Sequence, residues 1–202
     1  MKSLHRPDLY CWSIFDEARN VDFHSICWVR PNGNVLIDPL PLSPHDLGHL
    51  ADLGGADHVV VTNSDHTRAA ETMKALWGST IYGPRAEAGA FHADRWLCDG
   101  EEIVPGLVAL ELHGSKTPGE LALLLHDTTL ITGDLIRAHR AGSLMMLPDA
   151  KLQDRDLAIA SVRRLASLPG IDTVLVGDGW QVFGRGAQAL AELAAHAERV
   201  SP

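Results

Sequence analysis

Residues 114–119, Gly114-Ser115-Lys116-Thr117-Pro118-Gly119, lead into an apolar run from Leu121 to Leu125. A second run, Leu130 to Thr132, follows and ends in Gly133-Asp134. A polar loop thus opens onto a pair of strand-sized apolar segments, and the pair closes on a carboxylate. Loops that follow strands are where α/β proteins place their chemistry, because the scaffold below is rigid while the loop tip is accessible. Two further loops share this placement. Thr62-Asn63-Ser64-Asp65-His66 follows the β-branched run Val59-Val60-Val61, and Gly177-Asp178-Gly179-Trp180 follows Thr173 to Val176.

The flanking sequence alternates strands and helices. Tyr10 to Phe15 and Ile26 to Val29 read as strands, the second continuing through Asn32-Gly33 into Val35-Leu36-Ile37 as a hairpin. Ser43-Pro44 reads as an N-cap with proline at the first helical position and Asp46 completing a capping box. Gly54-Gly55 ends that helix. Val59 to Thr62, a helix carrying Ala69, Ala70, Met73, Leu76 and Trp77, and Ile81-Tyr82 form a βαβ unit. Leu107 to Leu112 adds a strand to the β-rich middle. Leu152, Ile159, Val162 and Ala166 mark a helix stopped by Gly170, and Leu190, Leu193, Ala197 and Val200 mark a final one. Strands and helices mix along the whole length, so an α/β layered class is expected, as one domain over residues 1–202.

Composition excludes several alternatives. With 46% hydrophobic and 21% charged residues, the chain is neither disordered nor membrane-embedded. A formal charge of −9 disfavours the phosphate backbone of nucleic acid. The start lacks an apolar leader and the three cysteines are scattered, which fits reduced thiols and a cytoplasmic location. Nucleic acid and membranes are therefore not expected partners, whereas a small-molecule substrate or ligand is. The apolar content and five tryptophans leave room for a homodimer.

The order of the loops resembles the metallo-β-lactamase superfamily. Leu36-Ile37-Asp38 matches the family's early Leu-Ile-Asp signature, and Thr117-Pro118-Gly119 and Thr132-Gly133-Asp134 match its Thr-Pro-Gly and Thr-Gly-Asp motifs. The resemblance spans about residues 26 to 180 and implies a four-layer αβ/βα sandwich and a metal-dependent hydrolase. The departures are as specific. Lys116 stands where the family places a histidine, and Asp178 stands in its Gly-His-Gly motif. The first motif fits in two registers. Without a gap, Asn63, Asp65, Thr67 and Arg68 take the family's polar positions; with a two-residue deletion, Asp65-His66 coincides with its Asp-His pair. Asp134 matches the metal-bridging carboxylate in both.

Two states follow from these substitutions. In the first, Asp65, His66, Asp134 and Asp178 hold one divalent ion, and this oxygen-rich set suits Mg²⁺ or Mn²⁺ better than a pair of Zn²⁺ ions. A bound water then attacks an ester, lactone or phosphoester, with Lys116 stabilising the oxyanion and Asp134 in the catalytic set. In the second, the Lys116 ammonium replaces the metal and the protein is a metal-free binding or scaffold protein. An ammonium repels a cation and has no lone pair to donate. Each residue also has a plainer reading: Asp178 as a turn residue, His66 as a helix first-turn residue, and Asp38 as an acceptor of backbone hydrogen bonds that holds a loop. Trp180 reads equally as a pocket wall or as core packing.

Overall fold

The structure, a computed structural model, describes residues 1–199. Mixed α/β architecture is present throughout, in two compact units, Met1–Trp96 and Leu97–Pro202.

The first unit carries β1 (Lys2–Ser3), β2 (Leu9–Asp16), β3 (Val21–Trp28), β4 (Val35–Ile37), α1 (Pro44–Asp52), β5 (His58–Val60), α2 (Ala70–Trp77), β6 (Thr80–Pro84) and β7 (Arg95–Leu97). The seven strands form one sheet in sequence order. β2, β3 and β4 pair antiparallel, with Leu9 opposite Trp28 and Ile26 opposite Ile37. β3 begins at Val21, earlier than the apolar run that marks it, because its exposed half alternates polar and apolar residues. β4, β5 and β6 are parallel, and α1 and α2 are their crossovers. Register places Cys27, Leu36, Val59 and Ile81 in one row on one face. That row packs with Leu50 of α1 and Met73 of α2 in a single core cluster. Burial of each such side chain stabilises the fold by roughly 1.5–3 kcal/mol relative to exposure. Ser43 caps α1 as its sequence predicts, its hydroxyl accepting the Asp46 N–H at 3.1 Å.

The second unit carries β8 (Glu102–Val104), β9 (Leu107–Leu112), β10 (Glu120–Leu125), β11 (Thr129–Thr132), β12 (Ile136–Arg140), β13 (Ser143–Met146), α3 (Arg155–Ala166), β14 (Thr173–Val176) and α4 (Gly186–Arg199). Five strands run in the order β14-β11-β10-β9-β8, and β12-β13 is a separate hairpin. Alternation puts Leu110, Ala122, Leu130 and Val174 on one face, where they share a cluster with Val162 of α3 and Leu190 of α4. α3 starts after Leu152, because Asp154 caps it by accepting the Leu157 N–H at 3.0 Å. Val200, which apolar spacing adds to α4, lies outside the described residues. The β12–β13 hairpin is not marked by an apolar pattern: Arg137, His139 and Arg140 interrupt it. Among the described residues no helix is long and apolar enough to cross a membrane.

Candidate functional site

Within the second unit, β11 and β14 are parallel neighbours with Thr132 opposite Val176. Asp134 and Asp178 each lie two residues beyond these paired ends, so the sheet itself brings the two carboxylates side by side. Both are buried. The loop from β9 to β10 opens at the same edge, because Leu112 and Glu120 pair, and it delivers Lys116. On β12, Arg137 and His139 both reach Asp178.

The result is a buried charge cluster. Lys116 Nζ lies 2.9 Å from Asp134 Oδ2. Arg137 Nη2 sits between the two acids, 3.5 Å from Asp134 Oδ1 and 3.1 Å from Asp178 Oδ2. His139 Nε2 is 3.1 Å from the same Asp178 oxygen. Two carboxylates about 4–6 Å apart repel by roughly 3–4 kcal/mol at an effective dielectric near 20. Here one permanent cation per carboxylate cancels that repulsion. Two buried atoms, Arg137 Nε and Asp178 Oδ1, lack a hydrogen-bond partner.

Further hydrogen bonds clamp these loops. Glu120 is fully buried at the start of β10, accepts the Leu135 N–H at 2.8 Å and takes the Ser115 hydroxyl on its other oxygen. It ties the loop of Lys116 to the loop of Asp134. Gly114 has φ +79°, and a Cβ there would lie 2.1 Å from the Asp154 carbonyl oxygen, so only glycine lets the loop cross the start of α3. Gly179, at φ +98°, meets the Ala138 carbonyl in the same way.

In the first unit, Asp65 and His66 fall in a 3-10 turn, Ser64–His66, whose cap is Asn63 accepting the Asp65 N–H at 3.0 Å. Asp65 is exposed and His66 buried. His66 Nδ1 lies 2.8 Å from Asp38 Oδ2 and 3.1 Å from the Thr62 hydroxyl. Asp38 also accepts the Thr62 N–H at 2.8 Å and the Thr62 hydroxyl at 2.6 Å. It holds the loop, as the plainer reading of Leu36-Ile37-Asp38 anticipates. Arg68, which in the ungapped register takes the family's last histidine position, donates Nη1 to the carbonyls of His24 and Asp38 at 2.7 and 2.9 Å.

Of the residues singled out in the sequence, Lys116, Asp134 and Asp178 meet within the second unit, while Asp65 and His66 belong to the first. Trp180 is 61% exposed, which removes core packing as its role. Sequence reading missed Arg137, His139 and Glu120. A signal existed for Arg137, a lone cation three residues after Asp134 between the apolar Ile136 and Ala138. For Glu120 the only signal was an acid opening an apolar strand.

The donor set around Asp134 and Asp178 does not fit a divalent metal. Asp134 Oδ2 already faces the Lys116 ammonium and Asp178 Oδ2 the Arg137 guanidinium, neither of which has a lone pair for a metal. Among the described residues no group of three or more His, Cys, Asp or Glu side chains is placed to hold one.

Similarity to known proteins agrees with the architecture. One curated relative, a hydroxyacylglutathione hydrolase of Brucella anthropi, is 32% identical over 118 residues, 56% of this chain. The match spans only 43% of that relative's length. A metallo-beta-lactamase from Pontibacter korlensis superposes with TM-score 0.78 at 14% identity, covering 97% of both chains. A metallo-beta-lactamase family protein from Thermus thermophilus gives 0.71 at 17%, covering 96% of this chain and 80% of its own. The metallo-beta-lactamase FIM-1 from Pseudomonas aeruginosa, solved in a mono-zinc form, gives 0.70 at 15%, covering 94% of this chain and 91% of its own. The family model described as metallo-beta-lactamase superfamily matches residues 1–197. With its sheet edges, loop order and these likenesses in accord, the chain belongs to the metallo-beta-lactamase superfamily.

Proposed function

We propose that this protein works without a metal, as a ligand-binding member of the superfamily in which Lys116 and Arg137 take over the electrostatic role of the ion. The observation that carries this reading is Lys116 Nζ at 2.9 Å from Asp134 Oδ2, with Arg137 spanning both aspartates. The Lys116 side chain keeps 27% of its exposure, so its ammonium can meet a polar group on a small ligand while remaining paired. Elemental analysis of protein purified without added metal tests the proposal. No stoichiometric divalent ion is expected, even after incubation with Zn²⁺, Mn²⁺ or Mg²⁺. Lys116→His is expected to raise metal affinity, and stoichiometric metal in the unaltered protein refutes the reading.

The 32% identical hydrolase favours a second reading, in which this cluster cleaves an ester or lactone. His139, 38% exposed and oriented by Asp178, takes a proton from the attacking water, and Lys116 stabilises the oxyanion. Turnover of simple aryl esters by metal-free protein, lost in both His139→Ala and Lys116→Ala, supports it. Turnover that survives either change sinks it.

A further inference from the structure

A cavity of about 560 Å³ opens in the second unit between the β12–β13 hairpin and α4, and none of the residues of the charge cluster lines it. That volume falls within the roughly 300–1,000 Å³ typical of small-molecule sites. Its floor is apolar: Leu144, Met146 and Leu147 come from the hairpin side, Leu193 and Ala197 from α4. Leu193 and Ala197 are four residues apart, so they lie on one helix face above the hairpin.

The rim is charged, and its charges are unequally answered. Both acids are already paired. Asp149 receives Arg155 Nε at 2.9 Å, and Glu192 accepts Gln188 Nε2 at 2.8 Å with Arg185 at 3.6 Å. Arg140, at the end of β12, and Arg199, at the end of α4, line the same cavity. No ion pair involves either of them among the described residues, and His196 adds a further nitrogen base at the rim. An apolar floor with an unanswered cationic rim complements a molecule that is apolar at one end and anionic at the other.

We propose that this cavity binds a small amphipathic anion, a medium-chain acyl carboxylate, with the chain on Leu144, Met146, Leu147 and Leu193 and the carboxylate between Arg140 and Arg199. The site is separate from the Asp134–Asp178 cluster and does not depend on what that cluster does. Each methylene buried on the floor strengthens binding by up to about fourfold.

Calorimetric titration of the full chain with decanoate below its micellar range tests this. Saturable one-site binding is expected, weaker for octanoate and at least about tenfold weaker for decanol, which lacks the charge. The exposed pair Arg140→Ala/Arg199→Ala is expected to weaken decanoate by about tenfold or more. Amide exchange on the unaltered protein gives a readout that needs no variant: protection by decanoate is expected in β13 and α4. The proposal is overturned by an absence of saturable binding, by decanol binding as tightly as decanoate, or by protection falling on the Lys116 loop instead. Cosedimentation with anionic vesicles without decanoate binding assigns the surface to a bilayer and overturns it as well.

Discussion

The two units each bury acids at the ends of sheet strands, and they treat them in opposite ways. In the first, Asp38 is answered by the Thr62 N–H, the Thr62 hydroxyl and the His66 ring, all from one loop. In the second, Asp134 and Asp178 are answered by Lys116, Arg137 and His139, which come from a different loop and from the hairpin. A carboxylate satisfied by one facing loop pins that loop to its own strand end. A pair of carboxylates held by cations from a second loop and a hairpin is a charge arrangement that only the assembled unit can make. Burying charge costs several kcal/mol per ion, and that cost is offset only while every partner stays in place.

The contrast predicts unequal sensitivity to substitution. Arg137→Met removes the guanidinium that both buried carboxylates share, leaving Asp134 with Lys116 and Asp178 with His139, and is expected to cost about 3–5 kcal/mol in denaturant unfolding. Replacing its partner as well, in Arg137→Met/Asp178→Leu, is expected to recover part of that loss, since no unpaired charge then remains at Asp178. If the single change costs less than about 1 kcal/mol, the cluster is no more than a solvated pair and the comparison collapses.

Asp38→Ala is expected to cost less, about 1–3 kcal/mol, the usual penalty for buried donors left without an acceptor. Asp38 has φ +48°, a conformation asparagine tolerates and alanine resists, so Asp38→Asn is expected to retain most of the stability. Thermal unfolding of the three proteins ranks them. An Asn variant as damaged as Arg137→Met erases the distinction between the two networks.

The smallest effect is expected at Asp94, an exposed acid of the first unit. The hydrogen bond from the Lys74 ammonium, helped by the Ile81 N–H at 2.8 Å, holds its carboxyl below the ordinary 3.8. A depressed carboxylate stabilises the fold above its unfolded pKa and loses that contribution as pH falls through the folded value. Asp94→Asn is therefore expected to cost less than about 1 kcal/mol near neutrality and nothing in strong acid. Denaturant midpoints measured from pH 7 down to pH 2 check the sign, and a gap that widens in acid contradicts it.

Local grammar made much of the architecture legible. The β-branched run Val59-Val60-Val61, Ser43-Pro44 before α1, and the Gly-Pro punctuation around residues 114–119 each state their element directly, and their order indicates the family. The β12–β13 hairpin escaped because its strands carry Arg137, His139 and Arg140, charges that mask a period-two pattern. The placement of Lys116 beside Asp134 was also readable from motif position, and Asp38 as an acceptor that holds a loop was readable from the usual behaviour of aspartate beside a turn.

The sequence by itself determined which residue types stand at the strand ends, and so that Asp134, Asp178 and the amine of Lys116 lie in loops that follow strands. Only the tertiary structure decided what neutralises those acids. Arg137 and His139 are remote from Asp178 along the chain, and a parallel pairing of β11 with β14 had to form before 3.1 Å contacts existed at all. Coulomb energy depends on distance in space, which a residue pattern does not encode until the sheet order is fixed.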